Sequence, residues 1–160
     1  MQRSTFGALH FSLLYLRGCI TLHYAPKMKL ENSPLKKKCL LKFSEPFGEF
    51  YLFENFLVSE IAEGVHFDWE KAEIIIHRVY DYFGTKDVEL GYLSNRVNSY
   101  SITAQDWLKF YKERHTVGRV AIVAYEEKGF LSVQLEKMFT RSTYKTFHSL
   151  EDAVSWLSSD

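Results

Sequence analysis

Six consecutive apolar residues, Val120-Ala121-Ile122-Val123-Ala124-Tyr125, constrain this chain more than any other stretch. A strand with one face in water alternates apolar and polar side chains. A strand without alternation is covered on both faces or lies centrally in a sheet. The rest of the chain must supply that cover. The plainest source is the stretch from Trp69, where Trp69, Ala72, Ile75, Ile76, Val79, Tyr80 and Phe83 recur at three- and four-residue steps. Asp68 stands before this stretch where an N-cap belongs, and Gly84 stands after it where a left-handed C-cap belongs, so the spacing predicts an amphipathic helix.

The remaining elements fall into two blocks. In the first, Lys36-Lys37-Lys38 guards the entrance of a strand over 39–43, Pro46-Phe47-Gly48 forms a turn, and residues 49–61 give two more strands broken at Glu54-Asn55, in a meander. In the second, helix and strand alternate. A strand over 88–93 leads into the polar loop 94–101. Thr103 with Asp106 resembles a capping box for a helix bearing Trp107, Leu108, Phe110 and Tyr111, which ends before Gly118. The apolar strand follows, then a helix over 130–139, a strand over 143–147, and a helix capped by Ser149 that carries Ala153, Val154, Trp156 and Leu157. Three strands followed by alternating helices and strands predict an α/β fold: a mixed sheet with about four helices packed against it.

A chain of 160 residues fits one domain. The expected domain covers 38–158. Residues 1–37 read as a loose N-terminal tail or a mis-assigned start, with Met28 as the alternative first residue. The interrupted apolar run 6–20 is too short for a membrane span. Twenty basic and twenty acidic residues cancel, which argues against nucleic acid as the main partner. Cys19 and Cys39 have no C-x-x-C spacing, so a reducing cytoplasm is the simplest setting, and Cys39 reads as a packing thiol inside a strand.

The usual signatures of chemistry do not occur. The six histidines are scattered, without H-E-x-x-H, and no glycine-rich phosphate loop or G-x-S-x-G elbow is present. Glu126-Glu127 and Glu151-Asp152 are adjacent pairs that do not face each other across a substrate, and His77 reads as a surface residue beside Arg78. No metal and no cofactor are expected. The exception is the loop after the 88–93 strand, at the carboxyl end where open α/β sheets bind ligands. Arg96 offers a planar fork for an anion, Asn95 and Asn98 offer amides, Ser99 and Ser101 offer hydroxyls, and Tyr100 offers a stacking face. The bland alternative is that these residues satisfy loop backbone.

Glu63-Gly64-Val65, the run Gly91-Tyr92-Leu93-Ser94-Asn95-Arg96 into Asn98-Ser99-Tyr100-Ser101, Arg119-Val120-Ala121-Ile122-Val123, and the closing Leu150-Glu151-Asp152-Ala153-Val154-Ser155-Trp156-Leu157 together resemble the SpoIIAA-like group of STAS-type domains. The resemblance spans roughly residues 40 to 158. It implies a mixed sheet of four or five strands with packed helices, as in bacterial anti-sigma factor antagonists and, more distantly, Sec14-type lipid carriers. In the antagonists a serine in an Asp-Ser-Ser-Gly-like turn is phosphorylated and controls binding to a kinase. The matching positions here are Asn98-Ser99-Tyr100-Ser101, which makes Ser99 and Ser101 the candidate phosphorylation sites.

Three functions follow as expectations. The first is a non-enzymatic regulatory module that binds a protein through Asn95, Arg96, Asn98, Ser99, Tyr100 and Ser101. The second is a carrier of a lipid or other apolar small molecule, suggested by 13 Phe, 10 Tyr and 3 Trp. The third is an enzyme that holds an anionic substrate on the Arg96 loop, with His66 or His115 as base. The partners expected are an unidentified protein, then a lipid or small molecule, and a second copy of the chain as a homodimer.

Overall fold

The computed structural model describes residues 25–159 of the chain. Two 3-10 turns, Leu30–Asn32 and Pro34–Lys38, lead into β1 (Leu41–Glu45), β2 (Gly48–Leu52) and β3 (Phe56–Ile61). The short β4 (His66–Phe67) precedes α1 (Trp69–Phe83). Then come β5 (Leu90–Arg96), β6 (Ser101–Ile102), α2 (Asp106–Lys112), β7 (Val117–Ala124), α3 (Glu127–Lys137), β8 (Thr143–Phe147) and α4 (Leu150–Leu157). The main sheet has six strands in the order β1-β2-β3-β5-β7-β8. Its first three are antiparallel and the rest parallel, so the expected mixed α/β sheet forms with more strands than the four or five the resemblance implies. The whole meander and β8 join one sheet, while β4 and β6 pair separately as a strap.

Alternation along the strands sorts the core into two layers. Tyr51, Val58, Leu93, Ala121, Val123 and Phe147 point to one face, where α4 contributes Leu150, Ala153 and Leu157 and the first 3-10 turn contributes Leu30. Phe43, Phe50, Leu52 and Ile61 point to the other face and meet Ile75 and Val79 of α1, while Val120 and Ile122 meet Val133 of α3. β7 is thus covered on both faces and paired with β5 and β8, which accounts for its unbroken apolar run. On the α4 face, a Cβ on Gly91 would stand 2.9 Å from Leu157 Cδ2 and 3.3 Å from Phe56 Cβ, so a side chain here would make Leu157 and Phe56 shift.

Local signals explain the two strongest helices. The Asp68 carboxylate accepts the Lys71 N–H at 3.2 Å, and Gly84 at φ 68° donates its N–H to the Tyr80 carbonyl at 2.8 Å, closing α1. Ser149 accepts the Asp152 N–H at 3.2 Å and starts α4.

Several expectations need correction. Ser94, Asn95 and Arg96 lie in β5 rather than in a loop. The Thr103 capping box does not form: the first residue of α2 is Asp106, and the Thr103 hydroxyl meets His66 Nε2 at 3.0 Å instead. Cys39 is half-buried and precedes β1, and its thiol donates to the Leu41 carbonyl at 3.2 Å. Residues 28–38, assigned to the tail, pack against the sheet, with Leu30 wholly buried. Cys19, the 6–20 run and most of the expected tail lie outside the described residues. Among the described residues no helix is long and apolar enough to cross a membrane.

Candidate functional site

Strand geometry separates residues that are neighbours in sequence. Tyr92, Ser94 and Arg96 project to the α1–α3 face, and Asn95 projects to the α4 face. There Asn95 is 1% exposed and fully used: its Nδ2 donates to Glu60 Oε1 at 2.6 Å and to the Met28 carbonyl at 2.9 Å, and its Oδ1 accepts the Tyr125 hydroxyl at 2.9 Å. Glu60 Oε1 also accepts the Leu30 N–H at 2.7 Å. Burial pushes the Glu60 carboxyl above its ordinary range, against the pull of the Leu30 and Asn95 donors. Asn95 therefore ties the N-terminal turn to the sheet and is closed to any partner.

Arg96 is placed differently. Its side chain is 9% exposed, and its Nη2 pairs with Glu136 of α3, itself 5% exposed. Arg96 Nη1 donates to Ser132 Oγ at 2.7 Å, and the guanidinium carbon lies 5.6 Å from the centre of the Tyr100 ring. The Tyr144 hydroxyl donates to the other Glu136 oxygen at 3.3 Å. Beside the pair, Tyr100 Oη and Ser94 Oγ share a hydrogen bond of 2.8 Å, and Tyr92 Oη and Ser59 Oγ share one of 2.7 Å. Burial pushes the Tyr92, Tyr100 and Tyr144 phenols up, so all three remain protonated and neutral. One buried side-chain atom has no hydrogen-bond partner among the described groups, Arg96 Nε.

This polar cluster forms one wall of a cavity of about 190 Å³ between α1, α2 and the sheet. The rest of the lining is mostly apolar and aromatic, with Phe50, Ile75, Val79, Trp107 and Phe110, but Asp68, Thr103, Asp106 and Thr116 also line it. α2, which lines the cavity with Asp106, Trp107 and Phe110, is seven residues long and buries none of them fully. Such a site can hold an apolar body and meet one hydrogen-bonding group.

The other candidates scatter. Asn98 Nδ2 donates to the Ile61 carbonyl at 2.8 Å and ties the loop to β3. Ser99 is exposed, and its N–H donates to Glu63 Oε2 at 2.7 Å. Ser101, also exposed, meets His66 Nδ1 at 2.8 Å through its hydroxyl, so both His66 ring nitrogens are engaged in the strap. His115 sits where α1 and α2 meet, with Tyr80 Oη at 2.7 Å from its Nδ1, and burial holds its pKa below the usual value. Neither histidine lines the cavity.

Sequence reasoning missed Glu136, Trp107 and Ser94 as site residues. Glu136 had one available signal: it lies three residues after Val133, so a carboxylate shares a helix face with an apolar residue.

The molecule is thus an α/β unit with a mixed sheet, a satisfied polar cluster on one face and a partly satisfied one beside a cavity on the other. No family model matches this chain, and no curated protein matches it. Among solved structures it is similar to an uncharacterized protein of the DUF3478 family with a SpoIIAA-like fold from Shewanella loihica PV-4. The two are 17% identical with a TM-score of 0.46, over 72% of this chain and 90% of that one.

Proposed function

We propose that this protein binds a small apolar molecule in the cavity between α1, α2 and the sheet, without catalysing a reaction on it. The observation that carries this reading is the composition of the walls: mostly aromatic and aliphatic side chains, with the paired Arg96 and Glu136 and a few further polar residues such as Asp68 and Asp106. Binding sites for small molecules are mostly apolar, with a few polar groups that set orientation. Among the described residues no cluster of histidine, cysteine and carboxylates gathers as a metal site would need. The test is native mass spectrometry on protein purified untagged from its own host, compared with the denatured mass. A noncovalent adduct of metabolite size that disappears in Ala72→Phe, where a ring would fill the cavity, supports the reading. A bare chain that also leaves small aromatic probes unbound overturns it.

A second reading, a cytoplasmic regulatory module that binds a protein, is supported by the exposure of Ser99 and Ser101 beside the strap. Of the two, Ser101 is the better modification site. A phosphate there would meet His66, whereas one on Ser99 would meet the Glu63 carboxylate. A covalent phosphate on Ser101 in protein from the native host would favour this reading.

A further inference from the structure

α3 carries apolar residues on two opposite sides. Val133 is buried and Glu136 turns inward to Arg96, while Leu131, Leu135 and Met138 stand on the outer side. Steps of four and three residues align these three in one stripe along the helix. Their exposures of 68%, 58% and 76% exceed those of the other large apolar side chains among the described residues, which reach at most 50% at Leu40. Single exposed apolar residues are ordinary, whereas a contiguous stripe marks a surface that something covers.

The chain itself arrives at this helix. Lys27 Nζ pairs with Glu126, the N-cap of α3, at 2.5 Å, and the Tyr125 hydroxyl donates to the Met28 carbonyl at 3.4 Å. Residues 27 and 28 are thereby anchored beside the start of α3. Beyond this anchor, outside the described residues, the 6–20 run brings Phe6, Leu9, Phe11, Leu13, Leu14 and Leu16, with Arg17 as its one full charge. From Ile20 to Lys27 the chain advances seven residues, which span up to roughly 23 Å when extended, and the 11 residues of α3 measure about 16 Å. The linker therefore reaches the whole stripe. A second copy of the chain is a poorer occupant. Three side chains on one short helix fall well below the roughly 800 Å² per partner of a stable interface, whereas a tethered segment meets the stripe at an effective concentration on the order of millimolar. We infer that the 6–20 segment packs its apolar side chains on the Leu131, Leu135 and Met138 stripe of its own α3.

The test uses the 160-residue chain with Cys39→Ser, which leaves Cys19 as the one thiol to carry a nitroxide spin label. Methyl NMR spectra are compared with the label oxidised and reduced. The Leu131, Leu135 and Met138 signals are expected to broaden strongly, while Leu40, which precedes β1 at the far edge of the sheet, stays sharp. A stripe that stays sharp overturns the inference. In a mixture of spin-labelled chain with isotope-labelled chain that carries no nitroxide, the stripe is expected to stay sharp. Broadening there would assign it to the segment of a second copy and overturn the inference. Leu131→Gln/Leu135→Gln then removes the stripe without emptying the core, because both residues are exposed and glutamine is a good helix former. In this variant the broadening of Met138 is expected to disappear, and trypsin cleavage after Arg17 to become about tenfold faster, because cleavage follows the population of undocked segment. If either stays unchanged, the stripe is not what holds the segment.

Discussion

The two faces of the sheet solve the same problem in opposite ways. On the α4 face, Glu60, Asn95 and Tyr125 are buried and mutually bonded, and Leu30, Leu93, Ala121 and Val123 close around them with no measurable exposure. On the α1–α3 face, Arg96 and Glu136 are also buried, yet one donor is unanswered, and the two residues line a cavity. Both clusters draw on consecutive residues of β5. Buried polarity alone therefore does not mark a site. The mark is buried polarity whose bonding is incomplete beside unfilled apolar space.

The sharpest test of this contrast removes one partner from the incomplete cluster. Arg96→Ala strands Glu136 in the interior and is expected to cost about 3–5 kcal/mol in urea denaturation, whereas the paired replacement Arg96→Met/Glu136→Leu costs much less. If the single and double changes cost the same, the pair is not the unit the geometry indicates. Next, Leu150→Ala on the α4 face is expected to cost about 2–5 kcal/mol, because its surroundings are closely packed. Ala72→Phe on the cavity face is expected to shift stability by less than about 1 kcal/mol, where overpacking a filled core costs about 1–3 kcal/mol. Comparable losses for the two would mean that the faces are equally full.

A smaller effect separates the clusters by pH. The raised carboxyl of Glu60 means that the folded chain holds this proton more tightly than the unfolded chain. Its contribution to stability is fully present below the ordinary carboxylate range and is lost as pH rises through the raised value. Glu60→Gln should remove that decline, so its stability relative to the natural chain should improve from about pH 4 to about pH 8 in denaturant titrations. A constant difference across this range would show that folding does not raise the Glu60 carboxyl.

Much of the frame was legible because its causes are local. The Asp68 and Ser149 caps, the Gly84 stop and the unbroken run of β7 each act within a few residues, and each formed as read. The site was harder to read because its causes are distant. Ser94-Asn95-Arg96 looked like a loop because the charged partners of Asn95 and Arg96, Glu60 and Glu136, lie 35 and 40 positions away. Thr103 carried a cap signal, but His66, 37 positions away, engages its hydroxyl. α3 hides its role for a different reason. Its outward face carries Leu131, Leu135 and Met138 at 68%, 58% and 76% exposure while Glu136 turns inward, so its polarity runs opposite to the usual pattern.

The contact between Met28 and the far end of β7 also has a consequence for biosynthesis. Tyr125 donates to the Met28 carbonyl at 3.4 Å across 97 positions of sequence, and Asn95 reaches the same oxygen at 2.9 Å. The N-terminal turn leaves the ribosome first, but its docking site is complete only after Tyr125 has followed. At ordinary elongation rates the interval is on the order of ten seconds. Throughout it the Leu30 side chain has no core to enter, so the nascent chain carries an exposed apolar turn that chaperones can hold until the sheet closes behind it.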